Sequence, residues 1–352
     1  MSKVKFGNIA REHKETLKND KSNMAIVGLE HLIPGNIKLI NCDYNKSNTF
    51  KKVFRKGNVL FGRRRAYLKK AAYAEFDGIC SGDITVIEAI PGKISPSLLP
   101  FVVQNDRFFD YAVGKSAGSL SPRVKWEDLK EYEFELPDTI EEQEKIAELL
   151  WSMVDTNDKY KELIIKTDEL VKSQFIAEIN EDKAVKHMKM LEIVKYLQKS
   201  PLKASDGKEK GMYPFFTSSV EQNKFTDEYL YDDECLIIGN GGVANIQYCN
   251  GKFSVGSHSF VTKSVSNDVR TRFMYLYFYS NMNVLDEGFR GVGIKNISKE
   301  YINNISILVP SIEKQDKLIY MFNQSDKSKF ELEKCLEELE KTYKRIIFEN
   351  LG

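Results

Sequence analysis

Two stretches of this chain open on almost the same words and then run on as long amphipathic patterns. P-D-T-I-E-E-Q-E-K begins at Pro137 and P-S-I-E-K-Q-D-K at Pro310. Proline forbids helix before it and suits a first turn after it. From Pro137, apolar positions Ile146, Leu149, Met153, Tyr160, Leu163 and Leu170 fall at alternating three- and four-residue steps, with Thr156 and Thr167 in the remaining slots. From Pro310 the seam reads Leu318, Phe322, Ser325, Lys329, Leu332, Leu336, Leu339, Tyr343, Ile346. This spacing over about four heptads predicts coiled-coil helices. Each would reach roughly 50–55 Å at 1.5 Å per residue, too long to sit inside one small domain. An isolated amphipathic helix is marginal in water, so each seam needs a partner, and the other copy is the one most at hand. The pairing is expected to be antiparallel, with the polar seam positions Thr156, Thr167, Ser325 and Lys329 fixing its register.

The duplication extends beyond the helices. Leu136-Pro137 answers Val309-Pro310, and Ser119, Val124, Trp126 and Leu129 answer Val292, Ile297, Lys299 and Ile302. Gly57–Gly62 resembles Asp233–Gly239 with a few residues of drift, and Ile79–Ile84 resembles Ser254–Ser259. The openings VKFGNI at Val4 and MKMLEI at Met188 also correspond. Repeats at a fixed offset are the first thing to settle in any chain. The expected organisation is a first globular domain over 1–136, a long helix over 137–180, a second domain over 181–309 and a second long helix over 310–352. Short β-rich runs ended by glycine, VLFG and CLIIG, precede a helical stretch late in each domain. The expected class is α+β: two similar mixed α/β domains, each followed by a long helix, related by a pseudo-twofold.

With 52 Lys and Arg against 51 Asp and Glu, the formal charge of +1 says nothing about an anionic partner, so only local charge can. The strongest local feature is FKKVFRKGNVLFGRRRAYLKK, Phe50 to Lys70. Nine cations there include Arg63, Arg64, Arg65, Lys69 and Lys70, with Tyr67 among them and no acid in the run. Guanidinium forks match phosphate oxygens and guanine edges, and like charges so close together call for an anionic partner. The plainer reading is a solvated loop. The second copy has an acidic stretch, Asp227–Glu234, in the matching place. Its nucleic-acid contacts would have to come from Lys252, His258, Arg270, Arg272, Arg290 and Lys295. Lys115, Ser116 and Arg123 flank the corresponding loop of copy one. A turn is the alternative for both loops, and for His258.

Several chemistries find no support. Gly239-Asn-Gly-Gly-Val-Ala244 matches a dinucleotide fingerprint, but strand and turn residues follow it where that site needs a helix. The four histidines are isolated, and five scattered cysteines show no metal-ligand spacing and suit a reducing cytoplasm. No phosphate-binding loop, nucleophile elbow or adenine-methyltransferase element is present, so no catalytic residue and no metal site are expected. No apolar run approaches a membrane span. The pattern is that of a reader, with a duplicated-domain DNA-modifying enzyme or nuclease of unrecognised site as the alternative.

Two variable α/β domains, each followed by a helix opening P-x-x-I-E-x-Q or, one residue shorter at Pro310, P-x-I-E-x-Q, resemble the specificity subunit of type I restriction-modification enzymes over essentially the whole chain. KGNVLFGRRRAYLKKAAYAEFDGICSGDITVI is similar to the first-domain core of that family, and VGSHSFV and GIKNI to its second. The resemblance implies host defence through DNA methylation. It implies that each domain reads half of a bipartite double-stranded DNA site, and that the helices set the gap and dock methyltransferase subunits. A restriction/translocase subunit joins the larger assembly. S-adenosylmethionine and ATP are then expected on the partner subunits and no cofactor on this chain.

Overall fold

The computed structural model describes residues 1–18 and 23–352. These residues form two compact units. One comprises Met1–Tyr160 together with Lys334–Gly352; the other is Lys161–Glu333.

In the first unit a four-stranded sheet is ordered Ala10–Glu12, Ile84–Ala89, Val59–Gly62, Ala71–Tyr73, all antiparallel. The β-branched run of Ile84–Ala89 is buried over its first four residues, as a central strand requires. A second, three-stranded sheet pairs Gly78–Cys80 parallel to Ala25–Val27 and antiparallel to Lys52–Phe54. Helices Leu99–Val103 and Asp106–Gly114 then deliver Phe101, Phe108 and Phe109 into one core with Phe6 and Phe61. Asn105 caps the second of these helices by accepting from the Arg107 amide at 3.0 Å.

The second unit repeats this with fewer breaks. Its six-stranded sheet runs Val194–Tyr196, Ser259–Ser264, Tyr231–Gly239, Ile246–Val255, Tyr213–Phe216, Lys224–Thr226. Tyr231–Gly239 is one strand where the first unit has two, Lys52–Phe54 and Val59–Gly62. Gly57, at φ 94°, and the turn around it interrupt the latter pair. Ile246–Val255 likewise stands for Ala71–Tyr73 and Gly78–Cys80. Within the described residues no helix is long and apolar enough to cross a membrane.

Each unit closes its chain the same way. Ser2–Lys5 pairs antiparallel with Glu133–Leu136, and Lys186–Lys189 with Ser306–Val309. The strand before each proline leads straight into a long helix, Ile140–Asn180 or Ile312–Leu351. Thr139 and Glu142 form a reciprocal cap at the first helix, at 3.2 and 3.3 Å, and Ser311 accepts from the Lys314 amide at 3.3 Å at the second.

The seam of the second helix lies as read. Leu318 and Phe322 are buried, and Leu332, Leu336, Leu339, Tyr343 and Ile346 half-buried. The first helix needs a correction. Ile146, Met153 and Tyr160 face inward or partly so, but Leu149, Leu163 and Leu170 are 48%, 48% and 68% exposed. Leu150, Ile164 and Val171, each one residue on, turn inward instead. Adjacent apolar pairs leave a three-four repeat with two registers, and leucine is no better a marker than its neighbour.

Packing along the helices is antiparallel in the second unit. Asp168 meets Lys329 at 2.7 Å, Glu178 pairs with Lys314, and Phe175 packs on Phe322 with ring centroids 5.5 Å apart. Of the polar seam residues, Lys329 is the one with a partner on the opposite helix. Asp168 also accepts from Tyr279 at 2.8 Å and pairs with Lys172 at 2.7 Å, so its charge is fully engaged. Thr156 instead turns its hydroxyl back to the Ser152 carbonyl at 2.7 Å, spending it within its own helix. In the first unit, Ile347 and Leu351 share a core with Ala147 and Leu150.

Candidate nucleic-acid interface

The most detailed correspondence between the units is a loop cluster at the end of a central strand. In the first unit residues 117–123 form a hairpin closed by reciprocal amide bonds between Ala117 and Arg123, 3.0 and 2.9 Å. The end of Val59–Gly62 lies against it: Arg65 N–H donates to the Pro122 carbonyl at 2.8 Å and Val124 N–H to Arg63 at 3.0 Å. In the second unit Arg290 and Asn296 close the same hairpin, both bonds 2.9 Å. Gly242 N–H donates to Lys295 at 2.9 Å and Ile297 N–H to Asn240 at 3.1 Å. A third bond completes the match: Arg63 N–H donates to the Asp83 carbonyl at 2.9 Å, and Asn240 N–H to that of His258 at 3.0 Å.

These bonds fix a residue-by-residue equivalence. Gly62-Arg63-Arg64-Arg65 stands where Gly239-Asn240-Gly241-Gly242 stands, and Asp83 where His258 stands. The apparent dinucleotide fingerprint is therefore the glycine form of this strand-end loop. It continues into Ile246–Val255, a strand antiparallel to Tyr231–Gly239, and not into a helix. Gly242 has φ 87°, and its counterpart Arg65 has φ 55°, the left-handed region that costs a side chain roughly 1–2 kcal/mol. Lys69, at φ 50°, closes the short 3-10 turn Ala66–Leu68 that follows.

Side chains make the two clusters chemically different. Asp83, which sequence reasoning missed, holds Arg123 through two hydrogen bonds of 2.7 and 3.3 Å and Arg64 at 3.4 Å. Arg64 also donates to Ser121 at 3.0 Å. The Arg123 hydrogen bond, with help from Arg64, holds the Asp83 carboxyl below its ordinary 3.8 against the opposing effect of burial. Two guanidinium planes are thus oriented beside Arg63 and the exposed Arg65. In the second unit His258 is exposed, and Arg290 and Lys295 supply the charge.

Four more basic residues of the run have partners inside the fold, while Lys51 and Lys56 are exposed. Arg55 is forked between Glu15 and Asp77, Lys52 reaches Glu12 at 3.4 Å, Lys69 meets Asp106 at 2.6 Å, and Lys70 donates to the Leu29 carbonyl at 2.7 Å. The run without acids is neutralised in part by carboxylates remote in sequence, which removes the argument that its charges demand an outside anion. No ion pair among the described residues engages Arg63 or Arg65, and Tyr67 is half exposed. Lys115 lies 5.6 Å from the Tyr111 ring, and Ser116 donates to the Ala112 carbonyl at 2.8 Å. In the second unit Lys252 sits over Tyr229 at 4.6 Å. Arg270 pairs with Asp316 at 3.1 Å, and Arg272 lies over Tyr248 and Tyr275, 3.5 Å from Asp326. Those two arginines brace the long helix and stand outside the loop cluster.

Sequence reading used the glutamine of the duplicated opening as part of a motif and gave it no structural role. Gln143 is buried, accepts from the Ser95 amide at 2.8 Å and donates to the Pro137 carbonyl at 2.9 Å. Gln315 is buried too; it accepts from the Arg270 amide at 2.9 Å and donates to Pro310 at 2.9 Å and Asp268 at 2.7 Å. In each unit one amide side chain pins the helix start to the domain.

Glu30, His31 and Asp43 bring ligand-type atoms within 4.8 Å of one another. The His31 Nδ1 accepts from the Gly28 amide at 2.8 Å, so its proton sits on Nε2, which faces Asp43 at 3.4 Å. Asp43 is also paired with Lys46 at 2.7 Å. The group is a loop clasp. Burial pushes the Cys80 and Cys235 thiols up to about 12, away from nucleophile chemistry.

The sequence profile of the type I restriction modification DNA specificity domain matches this chain twice, over residues 12–167 and 182–341. The chain belongs to that specificity family. Both matched segments contain one strand-end loop and one hairpin. The specificity subunit of the type I restriction enzyme EcoDI from Escherichia coli is 27% identical over 152 residues, 42% of this chain and 33% of that protein. A putative type I specificity subunit from Mycoplasma genitalium is 22% identical over 247 residues, 66% of this chain and 62% of that one. The aligned region is thus less than two thirds of either relative. Two solved structures share the fold. One, from a study of complex assembly and conformational transition in the type I restriction-modification system, has TM-score 0.65 at 17% identity, covering 99% of this chain and 97% of its own. The S subunit from M. genitalium has TM-score 0.59 at 15% identity, covering 100% and 96%.

Proposed function

We propose that this chain is the DNA-reading subunit of a type I restriction-modification enzyme. Each unit of this specificity-family member reads one half of a bipartite double-stranded site through its strand-end loop and hairpin. The observation that carries the reading is the duplicated backbone scaffold with divergent side chains. A shared frame holding Arg63-Arg64-Arg65, Asp83 and Arg123 in one unit and Asn240-Gly241-Gly242, His258 and Asn296 in the other suits two readers of different letters. The long helices set the gap between half-sites and dock methyltransferase subunits, and a restriction/translocase subunit completes the assembly. Methyl transfer, ATP hydrolysis and cleavage belong to those partners, together with S-adenosylmethionine and ATP. The setting of such a complex is the cytoplasm.

The test is a methylome of the source cell beside one in which residues 187–309 are exchanged for the equivalent segment of a relative. The expected result is a bipartite methylated motif that changes in one half only. Change in both halves would end the modular reading. Methylation by the pure chain, abolished by a point substitution within it, would favour the duplicated-enzyme alternative.

A further inference from the structure

Each hairpin described above carries an apolar side chain at its tip, presented to solvent. Leu120 is 89% exposed, Val292 107% and Ile294 76%. A single exposed leucine is ordinary. Here the feature occurs on both hairpins at neighbouring positions: in the hydrogen-bond match Leu120 falls opposite Gly293, between Val292 and Ile294. Gly118, at φ 115°, and Gly291 and Gly293, at 136° and 90°, make the sharp turns that push these side chains outward. The hairpin necks are held by two pairs of amide bonds, so the tips stand on fixed bases. Guanidinium and ammonium groups flank each tip: Arg65 and Arg123 in one unit, Arg290 and Lys295 in the other.

We infer that the tips are wedges. Each inserts its apolar side chain between neighbouring base pairs of its half-site and partly unstacks that step, while the flanking cations hold the phosphates. The inference rests on the DNA-reading function proposed above. The charge beside the tips selects the occupant, because cations next to a hydrophobic point, Arg65 in one unit and Arg290 and Lys295 in the other, suit a polyanion with an apolar stack inside it. Apolar side chains inserted at base steps in this way unstack and kink duplexes. The inference also gives Leu120, Val292 and Ile294 a part in specificity, since pyrimidine–purine steps open more readily than others.

The test uses the full chain, purified in the assembly in which its host makes it, and duplexes selected by it from a randomised pool. 2-Aminopurine is then placed at each position of the selected duplex in turn. The expected result is a several-fold fluorescence rise at one step in each half-site. Leu120→Ser should abolish the rise in one half, the double substitution Val292→Ser with Ile294→Ser that in the other, and Leu120→Met should restore the first. The salt dependence of binding should stay unchanged in all three, because no cation is removed. These side chains bury almost nothing, so their replacement leaves the cores intact. A flat profile with salt-dependent binding, or a rise that survives in the serine variants, would overturn the wedge and leave the DNA-reading function standing. Failure to bind any duplex would overturn both.

Discussion

The two strand-end loops share a backbone and differ in almost everything that hangs from it. Gly62-Arg63-Arg64-Arg65 carries three guanidiniums into a turn that Gly239-Asn240-Gly241-Gly242 makes with almost no side chains. Where the first has Asp83, gripping two arginines, the second has an exposed histidine. A frame fixed by the same backbone hydrogen bonds in both units leaves side chains free to change. The exception is the left-handed position, which glycine fills without strain and Arg65 fills at a cost.

The largest expected effect comes from making the first loop resemble the second. Replacing Arg63 with Asn and Arg64 and Arg65 with Gly should lower the slope of log K against log salt by about 0.9 for each phosphate no longer neutralised, up to about 2.7. Anisotropy titrations over a salt series would show it, and an unchanged slope would make these arginines a solvated surface. Next are the helix pins. Gln143→Leu orphans the Ser95 amide and the Pro137 carbonyl, and Gln315→Leu orphans three backbone groups. At about 1–3 kcal/mol for each orphaned group, both should destabilise markedly, Gln315→Leu the more. Urea unfolding of the two variants would reverse that order if the pins were unequal in some other way.

A smaller effect tests the strained position directly. Gly242→Arg should cost about 1–2 kcal/mol of stability, while Arg65→Gly should be neutral or slightly stabilising and still weaken DNA binding. Thermal melts paired with binding titrations separate the two consequences; equal losses of stability in both would contradict the assignment of strain. The smallest effect concerns pH. Asp83 titrates below its ordinary 3.8 in the folded chain, so its clamp contributes fully above the unfolded value and is lost as pH falls through the folded one. Asp83→Asn should therefore lower stability at neutral pH and flatten the acid limb below about pH 4. An acid limb identical to that of the parent chain would mean that other carboxylates dominate it.

Helices, duplication and family were legible because each leaves a pattern in one dimension. Proline openings and a three-four repeat need no knowledge of packing. The choice of Leu149 over Leu150 failed because both satisfy that repeat, and only packing decides between them. Gln143 and Gln315 were read as motif letters but not as pins, for a different reason: a buried amide that bonds to backbone has no periodicity, and nothing in its neighbours marks the carbonyl it will find. The basic run misled in a third way. Glu12, Glu15, Asp77 and Asp106, which neutralise part of it, are brought there by the fold. The grouping of Arg63 to Arg65 with Arg123 was half visible, since both stand out as basic, but Asp83 between them was not.

The chain order of the units bears on how they are made. Lys161–Glu333 is continuous, whereas the first unit needs Lys334–Gly352 to complete the core that Ile347 and Leu351 share with Leu150. The Asn105 amide, which sits within 3.4 Å of the Leu351 and 3.3 Å of the Gly352 carbonyl oxygens, also waits for that segment. Domains generally fold as they emerge during synthesis, the N-terminal one first. Here the second unit is finished earlier, and the first stays open, its helix face uncovered, until the last of these residues leaves the ribosome.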